Sequence, residues 1–216
     1  MKRVALTYPE TAIIANGKFP DHPLPLSYLL KAKRVICCDG AADSLIDFGL
    51  VPFSIVGDCD SVNKKIAEKY QDRLFRDEDP ETNDLTKAVK WCSGRGYNNI
   101  VILGGTGKRE DHTLGNISLL VEYASFTNVM MVTDAGIFFP IFESTRFDTE
   151  KGQQISVFAI DPFIEISSEG LKYKLDHMKL SNWWAATLNE AEETSITIEF
   201  SHGRVIVFLK FPEERL

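Results

Sequence analysis

Ile100-Val101-Ile102-Leu103-Gly104-Gly105-Thr106-Gly107-Lys108-Arg109-Glu110-Asp111-His112 carries the decision about the fold. Its first four residues form an unbroken apolar run, the pattern of a parallel strand covered on both faces. A glycine-rich loop follows. Beyond it, residues 111–125 repeat Leu114, Ile117, Ser118 and Val121 at helical spacing. The same alternation runs outward in both directions. Strand-like runs stand at 12–15, 35–38, 54–57 and 129–132, and helical patterns at 41–48, 63–70 and 82–93. In the last of these, Leu85, Ala88, Val89 and Cys92 recur on one helical face. Strand–helix alternation of this kind predicts an α/β domain on a doubly wound parallel sheet. Past residue 143 the pattern changes to strand-like runs at 154–160, 164–166, 195–200 and 204–210. Gly152, Asp161-Pro162, Glu169-Gly170 and His202-Gly203 punctuate them as turns. Residues 194–200 and 205–210, joined by Ser-His-Gly, read as a hairpin. The expected architecture is an N-terminal parallel-sheet α/β domain over 1–143 followed by a small antiparallel β-sandwich over 144–216.

A chain of 216 residues can bury a core without disulfide or metal staples. Its 24 Lys and Arg are outnumbered by 31 Asp and Glu, a net charge of −7. That excludes a broad electrostatic grip on nucleic acid or an anionic membrane, both of which need a basic surface. It leaves room for a phosphate-bearing small molecule whose charge is met by a metal ion and a few local cations. No run approaches the roughly 18 apolar residues of a membrane helix, and residues 1–10 hold no apolar stretch of signal-peptide length. Cys37, Cys38, Cys59 and Cys92 show neither a CxxC pair nor zinc spacing. Reduced, buried thiols in a cytoplasmic protein are expected.

Ligands of open parallel sheets bind at the carboxyl ends of the strands. Three strand ends here run into Asp39-Gly40-Ala41-Ala42-Asp43, Asp58-Cys59-Asp60-Ser61 and the loop from Gly104 to His112, all expected on one rim. In an extended chain Asp58 and Asp60 would point to the same side, a pair suited to Mg²⁺. The plainer alternative makes Asp58 a helix cap and Asp60 a solvated acid. A second acidic cluster, Asp77-Glu78-Asp79-Pro80-Glu81-Thr82-Asn83-Asp84, favours the metal. Asp84 falls in the first turn of a helix, where it serves the dipole or turns inward to a metal. Gly104, Gly105 and Gly107 allow close approach of backbone N–H groups to phosphate, and Arg109 offers a bidentate contact. Alone the loop matches neither the P-loop nor GxGxxG, and a plain flexible turn is an equal reading of it. Lys87 shares the helix face of Asp84 and reaches toward phosphate or solvent.

Taken together, four segments resemble the thiamine pyrophosphokinase family in order and spacing: Asp39-Gly40-Ala41-Ala42-Asp43, Val56-Gly57-Asp58-Cys59-Asp60-Ser61, Asn83-Asp84-Leu85-Thr86-Lys87-Ala88 and the loop from Gly104 to His112. Gly170-Leu171-Lys172-Tyr173 and Asn189-Glu190 resemble that family's C-terminal domain. The resemblance implies an ATP-binding α/β domain, a thiamine-binding β-sandwich, and a homodimer with sites at the subunit interface. The implied reaction moves the terminal diphosphate of ATP to the hydroxyethyl oxygen of thiamine, giving thiamine diphosphate and AMP. Carried over by position, Asp58, Asp60 and Asp84 would hold Mg²⁺ on the ATP phosphates, and Asp111 would assist the metal or the thiamine hydroxyl. Asp39, Gly40, Lys87, Gly104, Thr106, Arg109 and His112 would line the nucleotide and phosphate positions.

Some positions depart from the family pattern. Asn83 stands where threonine is common, Glu81 where aspartate is, and Lys108 where glycine is. Leu188 precedes Asn189 where the family has serine, so the thiamine contacts of that pair rest on Asn189 with Leu188 beside it. The stacking aromatic of some members has no counterpart near 205–208. Trp183 and Trp184 are either its replacement or ordinary packing, one in and one out. Two other functions fit the residues less completely: a diphosphokinase with another alcohol acceptor, and a non-catalytic nucleotide or thiamine binder.

Overall fold

The computed structural model describes residues 1–4 and 7–212. The chain divides into two compact units, one of Tyr8–Asp134 and one of Met1–Thr7 with Ala135–Leu216. The division therefore falls at 134/135 and not at 143/144, and the first strand, β1 (Lys2–Val4), belongs to the second unit.

The first unit contains β2 (Thr11–Ile14), α1 (Pro23–Lys31), β3 (Arg34–Cys38), α2 (Ala41–Asp47), β4 (Ser54–Gly57), α3 (Lys64–Lys69), β5 (Leu74–Arg76), α4 (Asp84–Ser93), β6 (Asn99–Leu103), α5 (Glu110–Tyr123) and β7 (Asn128–Val132). Its strands lie in the order β7-β6-β2-β3-β4-β5, every neighbouring pair parallel. The unbroken apolar runs are the reason: Ala12, Ile13, Ile36, Cys37, Ile55, Val101, Ile102 and Leu103 are all fully buried, as strands covered on both faces must be. The chain starts at β2, builds outward to β5, then returns to place β6 on the other side of β2. The strand order thus reverses between β2 and β6, and the carboxyl ends of those strands diverge into a crevice.

Two elements of this unit have no signature in the periodicity. Helix α1 carries Pro23 and Pro25 in its first turn, where the missing N–H groups have no partner to lose. His22 caps it, its Nδ1 accepting from Leu24 N at 3.2 Å. Strand β5 has only three residues and lies at the sheet edge beside β4. Helices α3 and α4 begin one and two residues later than expected because Asn63 and Asn83 are caps and not first-turn residues. Helix α2 begins at Ala41 as expected, and α5 one residue early at Glu110. Helices α4 and α5 are joined by a buried 2.7 Å hydrogen bond between Thr86 Oγ1 and the Tyr123 hydroxyl.

The second unit continues with β8 (Gly136–Ile141), β9 (Thr145–Asp148), β10 (Gln154–Ala159), β11 (Glu165–Glu169), β12 (Met178–Lys179), β13 (Asn189–Glu190), β14 (Ser195–Glu199) and β15 (Val205–Lys210). One sheet runs β13-β10-β15-β8 and is antiparallel. The other runs β1-β9-β14-β11-β12 and is antiparallel except for the β1–β9 pair. Phe139 on β8 meets Phe147 on β9 with ring centroids 5.6 Å apart, so the sheets share apolar packing. The expected hairpin does not form. β14 pairs with β9 and β11, while β15 pairs with β10 and β8, in the other sheet. Each strand gains two neighbours that way, where a lone hairpin would satisfy one edge of each. No helix among the described residues is long and apolar enough to cross a membrane. All four cysteines are free thiols, and Cys37, Cys38 and Cys92 are buried.

Candidate active site

Parallel register brings the carboxyl ends of β3 and β4 side by side, with Cys38 opposite Val56. Asp39 follows β3 with φ 41°, and it is 2% exposed. Its Oδ2 accepts from Ser61 Oγ at 2.6 Å and from Ser61 N at 3.2 Å. Its Oδ1 is buried and has no hydrogen-bond partner. Asp58 follows β4, but the chain does not stay extended as expected. Cys59 takes φ 64°, and Asp60 N folds back to donate to Asp58 Oδ1 at 3.2 Å. The turn still gathers the acids. Asp39, Asp58 and Asp60 each present a carboxylate oxygen within 4.8 Å of the others. Asp39, expected at the nucleotide, thus sits in the oxygen cluster; Asp84, expected as its third member, stands beside it.

Asp84 opens α4, whose start is fixed by Asn83 Oδ1 accepting from Thr86 N at 2.8 Å. A Cβ on Gly57 would stand 3.0 Å from Asp39 Cβ and 3.1 Å from Asp84 Oδ1, so a glycine at the end of β4 lets both acids close over it. Lys87, only 5% exposed, brings Nζ to 3.5 Å from Asp84 Oδ1. The electrostatics follow from this crowding. The Asp60 N–H holds the Asp58 carboxyl below its usual range. The Asp58 charge pushes Asp60 up. Burial, and then Asp58, push Asp84 up. Such a group of acids repels itself and calls for a cation.

The glycine loop meets the end of β2 through main chain. Gly17 N donates to Gly104 O at 2.8 Å and Lys18 N to Thr106 O at 2.7 Å. Gly104 has φ 63° and Gly107 φ 87°, the left-handed region that favours glycine. Between these segments and α4 lies a cavity of about 300 Å³, lined among others by Asn16, Gly17, Asp84, Thr106, Arg109 and His112. It occupies the point where the strand order reverses, the usual ligand position in such sheets. Gly40 is close at hand to the acids, since a Cβ on it would stand 3.1 Å from Ser61 Oγ. Asp111 is not brought to the acids. Its carboxylate is gripped by Arg109, Nε to Oδ1 at 3.1 Å and Nη2 to Oδ2 at 2.5 Å, which lowers its pKa to about 2.

Residues 26–133 match the family model described as thiamin pyrophosphokinase, catalytic domain, and residues 136–208 match thiamin pyrophosphokinase, substrate-binding domain. The chain belongs to the thiamin pyrophosphokinase family. Among curated relatives, thiamin pyrophosphokinase 1 of Caenorhabditis elegans is 29% identical, with 81% of this chain and 78% of the relative aligned. Thiamine pyrophosphokinase of Bacillus subtilis (strain 168) is 27% identical over 90% of this chain and 95% of the relative. The crystal structure of the B. subtilis thiamine pyrophosphokinase superposes with a TM-score of 0.77 at 22% identity, covering 94% of this chain and 99% of that one. That of the yeast thiamin pyrophosphokinase gives 0.79 at 17%, covering 97% and 91%. At those identities the superpositions speak for the fold alone.

Within the span matched to the family's substrate-binding domain, Asn189 is buried and committed to its own unit. Its Oδ1 accepts from Tyr173 N at 3.0 Å, and its Nδ2 donates to Tyr173 O at 2.7 Å. Leu188 is 80% exposed at φ 56°, a conformation costing a leucine roughly 1–2 kcal/mol. Leu188→Gly relieves that strain at the cost of about 0.4–1 kcal/mol of added unfolded-chain entropy, so a net gain of about 0.5–1 kcal/mol is expected, read as a higher urea midpoint at unchanged slope. The tryptophans do not divide as one in and one out: both are exposed, Trp183 at 39% with its ring 5.9 Å from that of Phe158, and Trp184 at 75%. Sequence reasoning missed Gly17, Asn16 and Asn116 in the first unit. Asn16-Gly17, just after a strand-like run, was the turn signal that marked the first two.

Proposed function

We propose that the protein transfers the terminal diphosphate of ATP to the hydroxyethyl oxygen of thiamine, with Mg²⁺ held by Asp39, Asp58 and Asp60. The reading is carried by one arrangement: a self-repelling group of carboxylates beside a glycine-loop crevice, within residues that match the family's catalytic domain. The donor set fits the ion. Three hard carboxylates meet within reach of one cation, and the partnerless buried oxygen of Asp39 costs free energy until something positive faces it. When bound, Mg²⁺ would neutralise phosphate oxygens that otherwise repel the incoming hydroxyl.

The chain's own residues do the rest. Backbone N–H groups of the loop from Gly104 to Gly107 receive phosphate oxygens, and the crevice lined by Thr106 and His112 takes the nucleotide. The Arg109–Asp111 pair is exposed, and exposed pairs are weak. A phosphate oxygen therefore displaces Asp111 from one side of the guanidinium, and Arg109 then stabilises charge on the transferring group. Asp84 anchors the Lys87 ammonium, whose charge meets that of the phosphates on the α4 side. The thiamine oxygen attacks the β-phosphorus, the bond from that phosphorus to the α-bridging oxygen breaks, and AMP leaves with the bridging oxygen. The hydroxyl proton departs late, to phosphate or water, as a loose transition state permits, so no side chain is required as a strong base.

The exposed Phe163, Tyr173 and Trp184 of the second unit support a homodimer in which these surfaces are covered and Trp184 meets the thiamine ring. Four free thiols support a reducing, cytoplasmic setting. The test is to incubate the protein with ATP, Mg²⁺ and thiamine and resolve the products. Thiamine diphosphate and AMP in equal amounts support the proposal. Thiamine monophosphate with ADP, or ATP binding without turnover, overturns it.

A further inference from the structure

We propose that Asn116 and Asn83 form a positioning pair that ties the glycine loop to the helix bearing Asp84. Asn116 lies on α5, and its Nδ2 donates to Gly105 O at 2.8 Å. Its Oδ1 accepts from Asn83 Nδ2 at 3.5 Å. Asn83 in turn accepts from Thr86 N through its own Oδ1 at 2.8 Å. An unbroken chain of amides therefore runs from the loop carbonyl, through two side chains, into the first turn of α4. Both side chains line the crevice between these segments.

The chain of bonds sets directions that the substrate reads. The Gly105 carbonyl and the Thr106 N–H belong to one planar peptide unit and point opposite ways. Holding the carbonyl toward α5 therefore fixes where the Thr106 N–H points. At the other end, the cap fixes the first turn of α4, from which Asp84 and Lys87 project. Donors on one wall of the crevice and the acid on the other are thus held in one register.

An amide suits position 83 in this scheme, because its two polar atoms reach the two partners separately. Threonine would still cap, because its hydroxyl accepts from the helix N–H, but one short-armed oxygen must then serve both the cap and Asn116. Asparagine provides the accepting oxygen and the donating nitrogen at once.

The inference rests on ATP occupying this crevice, and the experiment separates the two. Asn83→Thr, Asn116→Ala and the double variant are compared with wild type and Asp84→Asn for kcat, KM for MgATP, KM for thiamine and thermal midpoint. Alanine favours helix over asparagine, so Asn116→Ala does not weaken α5 itself. The expected KM for MgATP rises about threefold for Asn83→Thr and about tenfold for Asn116→Ala, the scale of one neutral hydrogen bond. The double variant equals Asn116→Ala, KM for thiamine does not move, and the melting points stay together. Unchanged KM for MgATP in both single variants overturns the pair, as does a double variant whose effect is the product of the singles. Full turnover by Asp84→Asn instead overturns the placement of ATP, whatever the asparagine variants do.

Discussion

Asp58→Asn and Asp84→Asn are each expected to lower turnover of ATP and thiamine by about 10³-fold or more, the scale of losing a charged group that acts on the transition state. Neither is expected to unfold the protein. Asp84 has its pKa raised by burial and by Asp58, so the folded state disfavours its charged form. That penalty is present at neutral pH, above the folded pKa, and fades as pH falls through it. An uncharged asparagine removes it at every pH. The metal-free Asp84→Asn protein is thus expected to melt no lower than wild type at pH 7, and the difference between the two should shrink on acidification. Asp58→Asn has a second signature. With its charge gone, Asp60 and Asp84 lose a repelling neighbour and both titrate at lower pH than in wild type, which carboxyl-carbon NMR resolves. Near-wild-type turnover by both variants would remove the acids from the reaction.

Gly17→Ala is expected to be as damaging by a different route. A Cβ there would stand 2.3 Å from Gly104 O and 2.4 Å from Thr106 O, both main-chain atoms with no side chain to swing aside. The two segments must part, and with them go the 2.8 Å bond from Gly17 N and the 2.7 Å bond from Lys18 N that shape the crevice. The expected loss is about 2–4 kcal/mol of stability, in the range of overpacking together with broken main-chain hydrogen bonds. In the surviving folded fraction, KM for ATP rises about tenfold or more while KM for thiamine changes less. Gly115→Ala is the matching control. It lies in the interior of α5 with open space around its Cα, so alanine is expected to add up to about 1 kcal/mol. Equal behaviour of the two variants would mean that the β2 end does not shape the site.

The parts of this site that could be read in the sequence are those whose meaning is local. Asp58 and Asp60 stand at the end of an apolar run, and Gly104 to Gly107 at the end of another, so rim and charge follow without a structure. Asp39 in the acid cluster was not legible, because its place depends on the register of β3 against β4 and on a left-handed turn at Asp39 itself. The Arg109–Asp111 clasp depends on rotamers that no spacing fixes. Helix α1 hides behind prolines that are harmless in a first turn, and β5 is too short to show a period. A short loop suggests pairing between β14 and β15, but each strand instead takes partners in a separate sheet. Local signals name the elements, and long-range pairing decides their partners.

The central claim is that Asp39, Asp58 and Asp60 hold the divalent ion at the crevice. Titrating the protein with Mn²⁺ in place of Mg²⁺, and following free Mn²⁺ by electron paramagnetic resonance with and without a non-hydrolysable ATP analogue, tests it most directly. Wild type is expected to bind Mn²⁺ more tightly when the analogue is present, and Asp39→Asn and Asp58→Asn are expected to lose that binding while keeping the wild-type circular dichroism. Mn²⁺ binding by both variants indistinguishable from wild type would contradict the account.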